Sequence, residues 1–288
     1  MSNYSNIIAG CMSWGSWGKQ FSINEMIAQL NLTLETGITT FDHADIYGDY
    51  TTEKQFGEAF HQSNIKREDI QLISKCGIQY IGKTRNNKVG HYEYSKEYIV
   101  KSVEQSLKNL QTEYLDLLLL HRPSPLMNPI EINEAIFKLQ SEGKIKGFGV
   151  SNFTQSQIEL IEMTTKINVN QIEFSLTENS AMLNGTLDAM KVREITPMSW
   201  SPLGSVFKEI TEQTTRIRFL LKELCEKYNA TEDQLLLAWL LKHPSGIHPV
   251  IGTTNIDRIV NAQKSVHIQL ELEDWFLLLK ASQGHAVL

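Results

Sequence analysis

Apolar residues recur along the chain in two alternating patterns. Short runs come at Ile7-Ile8-Ala9, Thr39-Thr40-Phe41, Gln71-Leu72-Ile73, Leu117 to Leu120, Gly147 to Val150, Val169 to Ile172, Pro197-Met198-Ser199 and Pro249-Val250-Ile251. Strands covered on both faces read this way. Longer segments between them carry apolar residues at helical spacing. Ile23, Met26, Ile27, Leu30 and Leu34 share one face of Ile23 to Glu35. Ile99, Val103, Leu107 and Leu110 do so in Tyr98 to Leu110, which Ser95 opens. Ile132, Ala135, Ile136 and Leu139 do so in Ile130 to Leu139, where Asn128 or Pro129 marks the start and Gly143 follows the end.

Eight such strand–helix alternations predict an α/β fold with a parallel sheet, and a (β/α)8 TIM barrel fits them best. Two extra helices are expected before strand eight, over about Thr215 to Tyr228 and Thr231 to Lys242. Another, near Leu272 to Ala281, closes the chain. An open doubly wound sheet is the competing fold. It is weakened by the absence of GxGxxG after the first strand and of GxxxxGK[ST] anywhere. The longest irregular connection is Gln79 to Tyr94, a length at which loops are often functional.

The chain has 288 residues, which a prior of about 150 residues per domain would divide in two. No stretch rich in Pro, Gly or Ser separates it, so residues 1–288 are read as one domain. Hydrophobic residues make up 41% and charged residues 21%, which excludes a disordered chain. The net charge of −6 supplies no global field for a polyanion, so nucleic acid is not expected as a partner. The apolar runs fall short of the roughly 20 residues that cross a bilayer, and no membrane partner is expected. MSNYSNIIAG carries no basic stretch followed by an apolar one, so no signal peptide is read. Cys11, Cys76 and Cys225 form no CxxC pair and fit a reducing compartment, so the expected location is the cytoplasm. The sequence assigns no oligomeric state.

In a barrel, chemistry collects where strands end at their C-terminal face. Strand two runs into Asp42-His43-Ala44-Asp45-Ile46-Tyr47, strand three into Ser74-Lys75 and strand four into His121-Arg122. These ends form a proton-transfer set. A tyrosine titrates near 10 and is a poor acid at neutral pH. A neighbouring ammonium favours its phenolate and lowers that value. Asp42 and Lys75 can pair and hold the ammonium beside Tyr47, while His121 bonds a substrate oxygen. Singly, each residue has a plainer reading: a turn aspartate, a rim tyrosine, a solvated lysine, a core histidine. Their joint occurrence favours a site.

At these residues the chain resembles the aldo-keto reductases, over essentially its whole length. GITTFDHADIYG (residues 37–48) is similar to the family's first signature. LISK (72–75) matches the segment with the catalytic lysine, and LDLLLLHRP (115–123) the one with the catalytic histidine. GKIKGFGVSNF (143–153) matches the second signature, and VNQIEFS (169–175) the cofactor strand. HADIYG, SKCGI and HRPSPLM look closest to a bacterial branch of small aldo-keto reductases.

The resemblance implies an NADPH-dependent oxidoreductase that reduces aldehydes or ketones by direct hydride transfer. Tyr47 would be the general acid, Lys75 and Asp42 would tune it, and His121 would orient the carbonyl. Ser151, Asn152 and Gln171 would bond the nicotinamide carboxamide, and Trp200 would stack on its ring. Ser201, Leu203 and Gly204 would line the pyrophosphate. Gly252, Thr253, Thr254 and Arg258 would hold the adenosine 2′-phosphate, with Asn261 near the adenine. Gly10, Met12 and Asp42 complete the implied cofactor set. Trp14, Tyr47, His121 and Arg122 would flank the carbonyl of a small substrate, with Trp17, Tyr80, His91 and Tyr92 as a wall.

The chain departs from the family's pattern at three places. His43 stands where a threonine is usual and is expected to make a strand-end hydrogen bond. Asn255 stands where relatives place a lysine or arginine, and Ala262 where many have an asparagine. One fewer cation keeps NAD(H) as the less favoured cofactor. Two further readings compete. One is a cofactor-binding sensor or regulatory subunit with slow turnover. The other is a metal-dependent barrel hydrolase or isomerase using Asp42, His43 and His121, which Lys75 in their midst opposes; no metal is expected.

Overall fold

The run Leu115 to Leu120 is apolar on both faces because each face meets protein. Leu117 and Leu119 point into an inner cluster with Ile8, Ile73, Val169, Met198 and Val250. Leu118 and Leu120 point outward into the larger cluster beneath the helices. Each fully buried leucine contributes roughly 1.5–3 kcal/mol. The computed structural model describes residues 4–286. The ends of the expected 1–288 domain, residues 1–3 and 287–288, lie outside the described residues.

Among the described residues ten strands form: β1 (Ile8–Gly10), β2 (Thr40–Asp42), β3 (Gln71–Cys76), β4 (Ile78–Gln79), β5 (His91–Tyr92), β6 (Leu115–Leu120), β7 (Ile145–Ser151), β8 (Val169–Glu173), β9 (Thr196–Trp200) and β10 (His248–Ile251). Eight of them close a barrel in the order β1-β10-β9-β8-β7-β6-β3-β2. Every barrel pair is parallel, and closure pairs Ala9 with Ile251 on one side and with Phe41 on the other. All eight expected strands are present. The expected irregular segment from Gln79 to Tyr94 differs: β4 and β5 pair antiparallel through Ile78–Tyr92 and Gln79–His91. The ribbon is too short to show a repeat in the sequence.

The helices are α1 (Ile23–Glu35), a turn-like α2 (Tyr47–Tyr50), α3 (Thr52–Gln62), α4 (Lys96–Leu110), α5 (Pro129–Ser141), α6 (Gln155–Glu162), α7 (Thr186–Val192), α8 (Glu212–Tyr228), α9 (Glu232–Leu241), α10 (Ile256–Lys264) and α11 (Leu272–Gln283). Ser95 accepts from Tyr98 N–H and Asn128 from Ile130 N–H, so the expected starts of α4 and α5 are capped. Such a cap contributes about 1 kcal/mol. The helices expected before the last barrel strand and at the chain end are α8, α9 and α11. Trp239 of α9 and Trp275 of α11 stack at 4.9 Å, each indole N–H donating to the other's carbonyl. Among the described residues, no helix is long and apolar enough to cross a membrane.

Candidate active site

The strand ladder continues past the strand ends and so fixes the residues just beyond them. Asp45 N–H donates to Lys75 C=O and His121 N–H to Cys76 C=O, each at 2.9 Å. Lys75 lies on the inner side of β3 and is 1% exposed. Its ammonium donates to Asp42 Oδ2 at 2.7 Å, His43 C=O at 2.8 Å and Tyr47 Oη at 3.1 Å. Three acceptors for three N–H donors leave the buried charge satisfied. Burial alone would depress the lysine, but the Asp42 carboxylate and Tyr47 outweigh it, and its pKa is raised.

For Tyr47 the balance corrects the sequence expectation. Burial is the largest influence and raises the phenol's pKa; Lys75 lowers it by less, and Asp42 raises it further. Tyr47 therefore keeps its proton at neutral pH. His121 lies at the next strand end, its ring 6.1 Å from that of Tyr47 and edge-on to it. Burial, then Lys75 and Arg122, hold its pKa well below the usual value, so the imidazole is neutral. Its Nδ1 is buried without a hydrogen-bond partner. The four expected catalytic residues thus come together.

The expected amide-binding residues join the same network. Gln171 donates to Asp42 Oδ1 at 3.0 Å, so the carboxylate is held on both oxygens. Ser151 donates to Gln171 C=O at 2.9 Å, and Asn152 donates to Ser151 Oγ at 2.7 Å. Trp200 N–H donates to Asn152 Oδ1 at 2.9 Å. Asn152 has φ +59°, a left-handed conformation that asparagine tolerates well. After β9, Ser201 and Gly204 are also left-handed. A Cβ on Gly204 would come within 2.0 Å of Thr177 Oγ1, so the turn that carries Leu203 requires glycine.

Gly252 lies at the end of β10, and a Cβ there would meet nothing within 4 Å. Its carbonyl accepts at 2.8 Å from Ser13, in the loop after the neighbouring strand β1. Met12, in the same loop as Ser13, is 51% exposed, while Gly10 is buried in β1. Thr253 and Thr254 lead into α10, where Asn255 Oδ1 accepts from Arg258 N–H at 3.1 Å. Asn255 thus caps the helix. Asn261 lies on α10, and its carbonyl accepts from Gln234 of α9 at 3.2 Å.

Two further expectations are corrected. Trp14 does not flank the site. It is 1% exposed and packs about 6 Å from Phe21, Phe41 and Phe56, because the turn from Cys11 winds it into the core. Trp17 instead faces outward, 6.3 Å from Tyr47 and 5.9 Å from Tyr80. The His43 ring makes no strand-end hydrogen bond. Both its nitrogens are buried without partners, its ring packs 4.2 Å from Phe56, and only its carbonyl serves Lys75. Burial, then Lys75, pushes its pKa down to about 3. Among the described residues, no group of three or more His, Cys, Asp or Glu is arranged to hold a metal ion.

Sequence reading missed a supporting layer. Asp45 accepts from Ser102 at 3.1 Å and Tyr98 at 3.3 Å, and burial, then Glu53, raises its pKa to about 7. Asp49, left-handed at φ +58°, accepts from Tyr80 Oη at 2.6 Å and Lys83 N–H at 2.9 Å. That ties the segment after β4 to the turn after Tyr47. A left-handed non-glycine residue two positions from Tyr47 has no sequence signature; only the adjacent Gly48 hints at it.

The description "Aldo/keto reductase family" belongs to a family model that matches residues 6–281. The oxidoreductase YcsN of Bacillus subtilis is 41% identical, covering 99% of this chain and 96% of its own. A 6-dehydroglucose reductase of Agrobacterium fabrum is 36% identical, with 90% and 88% covered. An aldo/keto reductase from Klebsiella pneumoniae, solved with NADP and acetate, superposes with a TM-score of 0.78 at 25% identity, covering 96% and 90%.

Proposed function

Because this chain belongs to the aldo/keto reductase family, we propose that it reduces an aldehyde or ketone to an alcohol with NADPH, Tyr47 delivering the proton. The chain is an oxidoreductase of that family. The observation that carries the finer reading is the Lys75 ammonium, buried with the Asp42 carboxylate and shared between Asp42 Oδ2 and the partly exposed Tyr47 Oη.

The residues fit the cofactor. Ser151, Asn152 and Gln171 offer amide and hydroxyl groups beside Asp42, which suits a carboxamide. Trp200, tethered through Asn152, offers a flat face. Gly252 opens on space at the end of β10, and Thr253, Thr254 and Arg258 follow it. The K. pneumoniae relative was solved with NADP. In this reading Ser201, Leu203 and Gly204 lie along the pyrophosphate, with Gly10, Met12 and Asn261 completing the set. When bound, NADPH supplies the two electrons of the reduction.

The chain's own residues handle the oxygen. The substrate carbonyl accepts from Tyr47 Oη and from His121, which burial keeps neutral. As the oxygen gains charge, Tyr47 passes its proton to it. The Lys75 ammonium at 3.1 Å then stabilises the phenolate, and Asp42 keeps that ammonium charged. Residues 1–288 act as one domain in this reading, since β1 pairs with β10 near the other end of the chain. Cys11, Cys76 and Cys225 are free thiols, in keeping with a reducing cytoplasm.

The test is NADPH oxidation against a panel of aldehydes and ketones, with NADPH binding followed in parallel by fluorescence. Binding with turnover on at least one carbonyl is expected. Tight binding without turnover on any carbonyl would favour the sensor reading instead.

A further inference from the structure

Of the seven arginines, five have side chains tied to protein acceptors. Arg67 meets Asp116, Arg85 meets Gln79, Arg193 meets Glu159, and Arg216 and Arg218 bond the carbonyls of Ala281 and Val206. The other two, Arg122 and Arg258, make no side-chain hydrogen bond or ion pair among the described residues. Both are at the barrel mouth, and Arg258 belongs to the expected cofactor set. Arg122 is expected only to flank the substrate carbonyl, with no partner named for its guanidinium.

Its surroundings are built. Tyr94 Oη accepts from Arg122 N–H at 3.1 Å and donates to Arg122 C=O at 2.6 Å. One hydroxyl therefore pins both polar atoms of that residue's backbone. Tyr94 is 5% exposed, and its ring fills the space above Gly77, where a Cβ would come within 2.1 Å. The Arg122 guanidinium sits 5.3 Å from the Trp200 ring centre. Arg122 directly follows His121 in the sequence. The acid whose charge reaches it, Glu173, is the register partner of Trp200 and forms no ion pair with it.

A half-buried guanidinium on an aromatic face presents a planar fork of N–H donors with nothing to receive them. Carboxylates and phosphates match that fork. We propose that Arg122 anchors an oxyanion group, carboxylate or phosphate, carried by the carbonyl substrate. The enzyme then prefers anionic aldehydes or ketones to neutral ones of similar size. This rests on the carbonyl-reductase reading. Tyr94 is a positioning residue in it, acting through the Arg122 backbone.

The test measures kcat/KM with NADPH for two matched pairs: succinic semialdehyde against butanal, and glyceraldehyde 3-phosphate against glyceraldehyde. The wild type is expected to favour the anion of one pair by about 10- to 100-fold, mainly through KM. A preference in the first pair assigns carboxylate, and in the second phosphate. R122Q should bring the ratio near one. R122K keeps the charge without the fork and should retain part of the preference; it also serves if R122Q fails to fold. Y94F should raise KM for the anion more than for its neutral partner. No preference in either pair, or one that survives R122Q, overturns the inference while leaving the reductase reading intact. No turnover of any of the four by an enzyme active on other carbonyls of the panel overturns this inference alone; inactivity on the whole panel overturns the reductase reading, and this inference with it.

Discussion

The Lys75 ammonium lies 2.7 Å from Asp42 Oδ2, with the two side chains 1% and 3% exposed. Removing one partner of such a pair strands the other charge, a change that costs about 3–5 kcal/mol. Asp42→Asn should therefore lose stability on that scale in denaturant unfolding. Adding Lys75→Met to it should recover part of the loss, since the stranded charge is then gone. A single mutant within about 1 kcal/mol of wild type would show the pair is not stabilised as described.

Tyr47 carries a raised pKa, set by burial against the smaller opposing pull of Lys75. The proton donor therefore stays protonated through neutral pH. The pH profile of kcat/KM for reduction should show no alkaline decline below the ordinary tyrosine value of 10. Oxidation of the alcohol needs the phenolate and should rise toward alkaline pH. An alkaline limb centred near pH 7 or 8 would be the wrong outcome.

Asp45 gives a stability prediction of definite sign. Its folded pKa of about 7 lies above the ordinary 3.8, so the folded chain holds a proton that the unfolded chain releases. Stability due to this group is present below 3.8 and declines as pH rises through 7. Asp45→Asn should thus melt higher than wild type by a margin that grows between pH 4 and 7. His43 and His121 act oppositely: with folded values below 6.5, they cost stability as pH falls under 6.5. A margin for Asp45→Asn that shrinks with pH would contradict the assignment.

Trp14 and Trp17 should behave differently despite their proximity in sequence. Trp14 fills the core beside three phenylalanines, so Trp14→Ala should cost about 3–5 kcal/mol. Trp17 is 44% exposed over Tyr47, so Trp17→Ala should shift substrate KM with little change in melting. Equal melting losses would collapse the distinction.

The sequence is informative where a signal is local. The strands were legible because a buried parallel strand is apolar on both faces, as Leu117 to Leu120 shows. Helix starts were legible where Ser95 and Asn128 supply the capping oxygen. The catalytic four were legible because each lies at or just beyond a strand end, and the barrel brings strand ends together. The orientation of Trp14 was not, because a turn decides it. The direction of the Tyr47 shift was not either, since it weighs burial against charge. Tyr94 and Arg122 are 28 residues apart, and no short-range pattern connects them.

The central claim is that Tyr47 delivers the proton under the control of Lys75. Single-turnover NADPH oxidation by Tyr47→Phe, on the best carbonyl of the panel, tests it most directly. The rate should fall by about 10²–10⁴-fold while NADPH still binds. A rate within a few-fold of wild type would place proton delivery elsewhere.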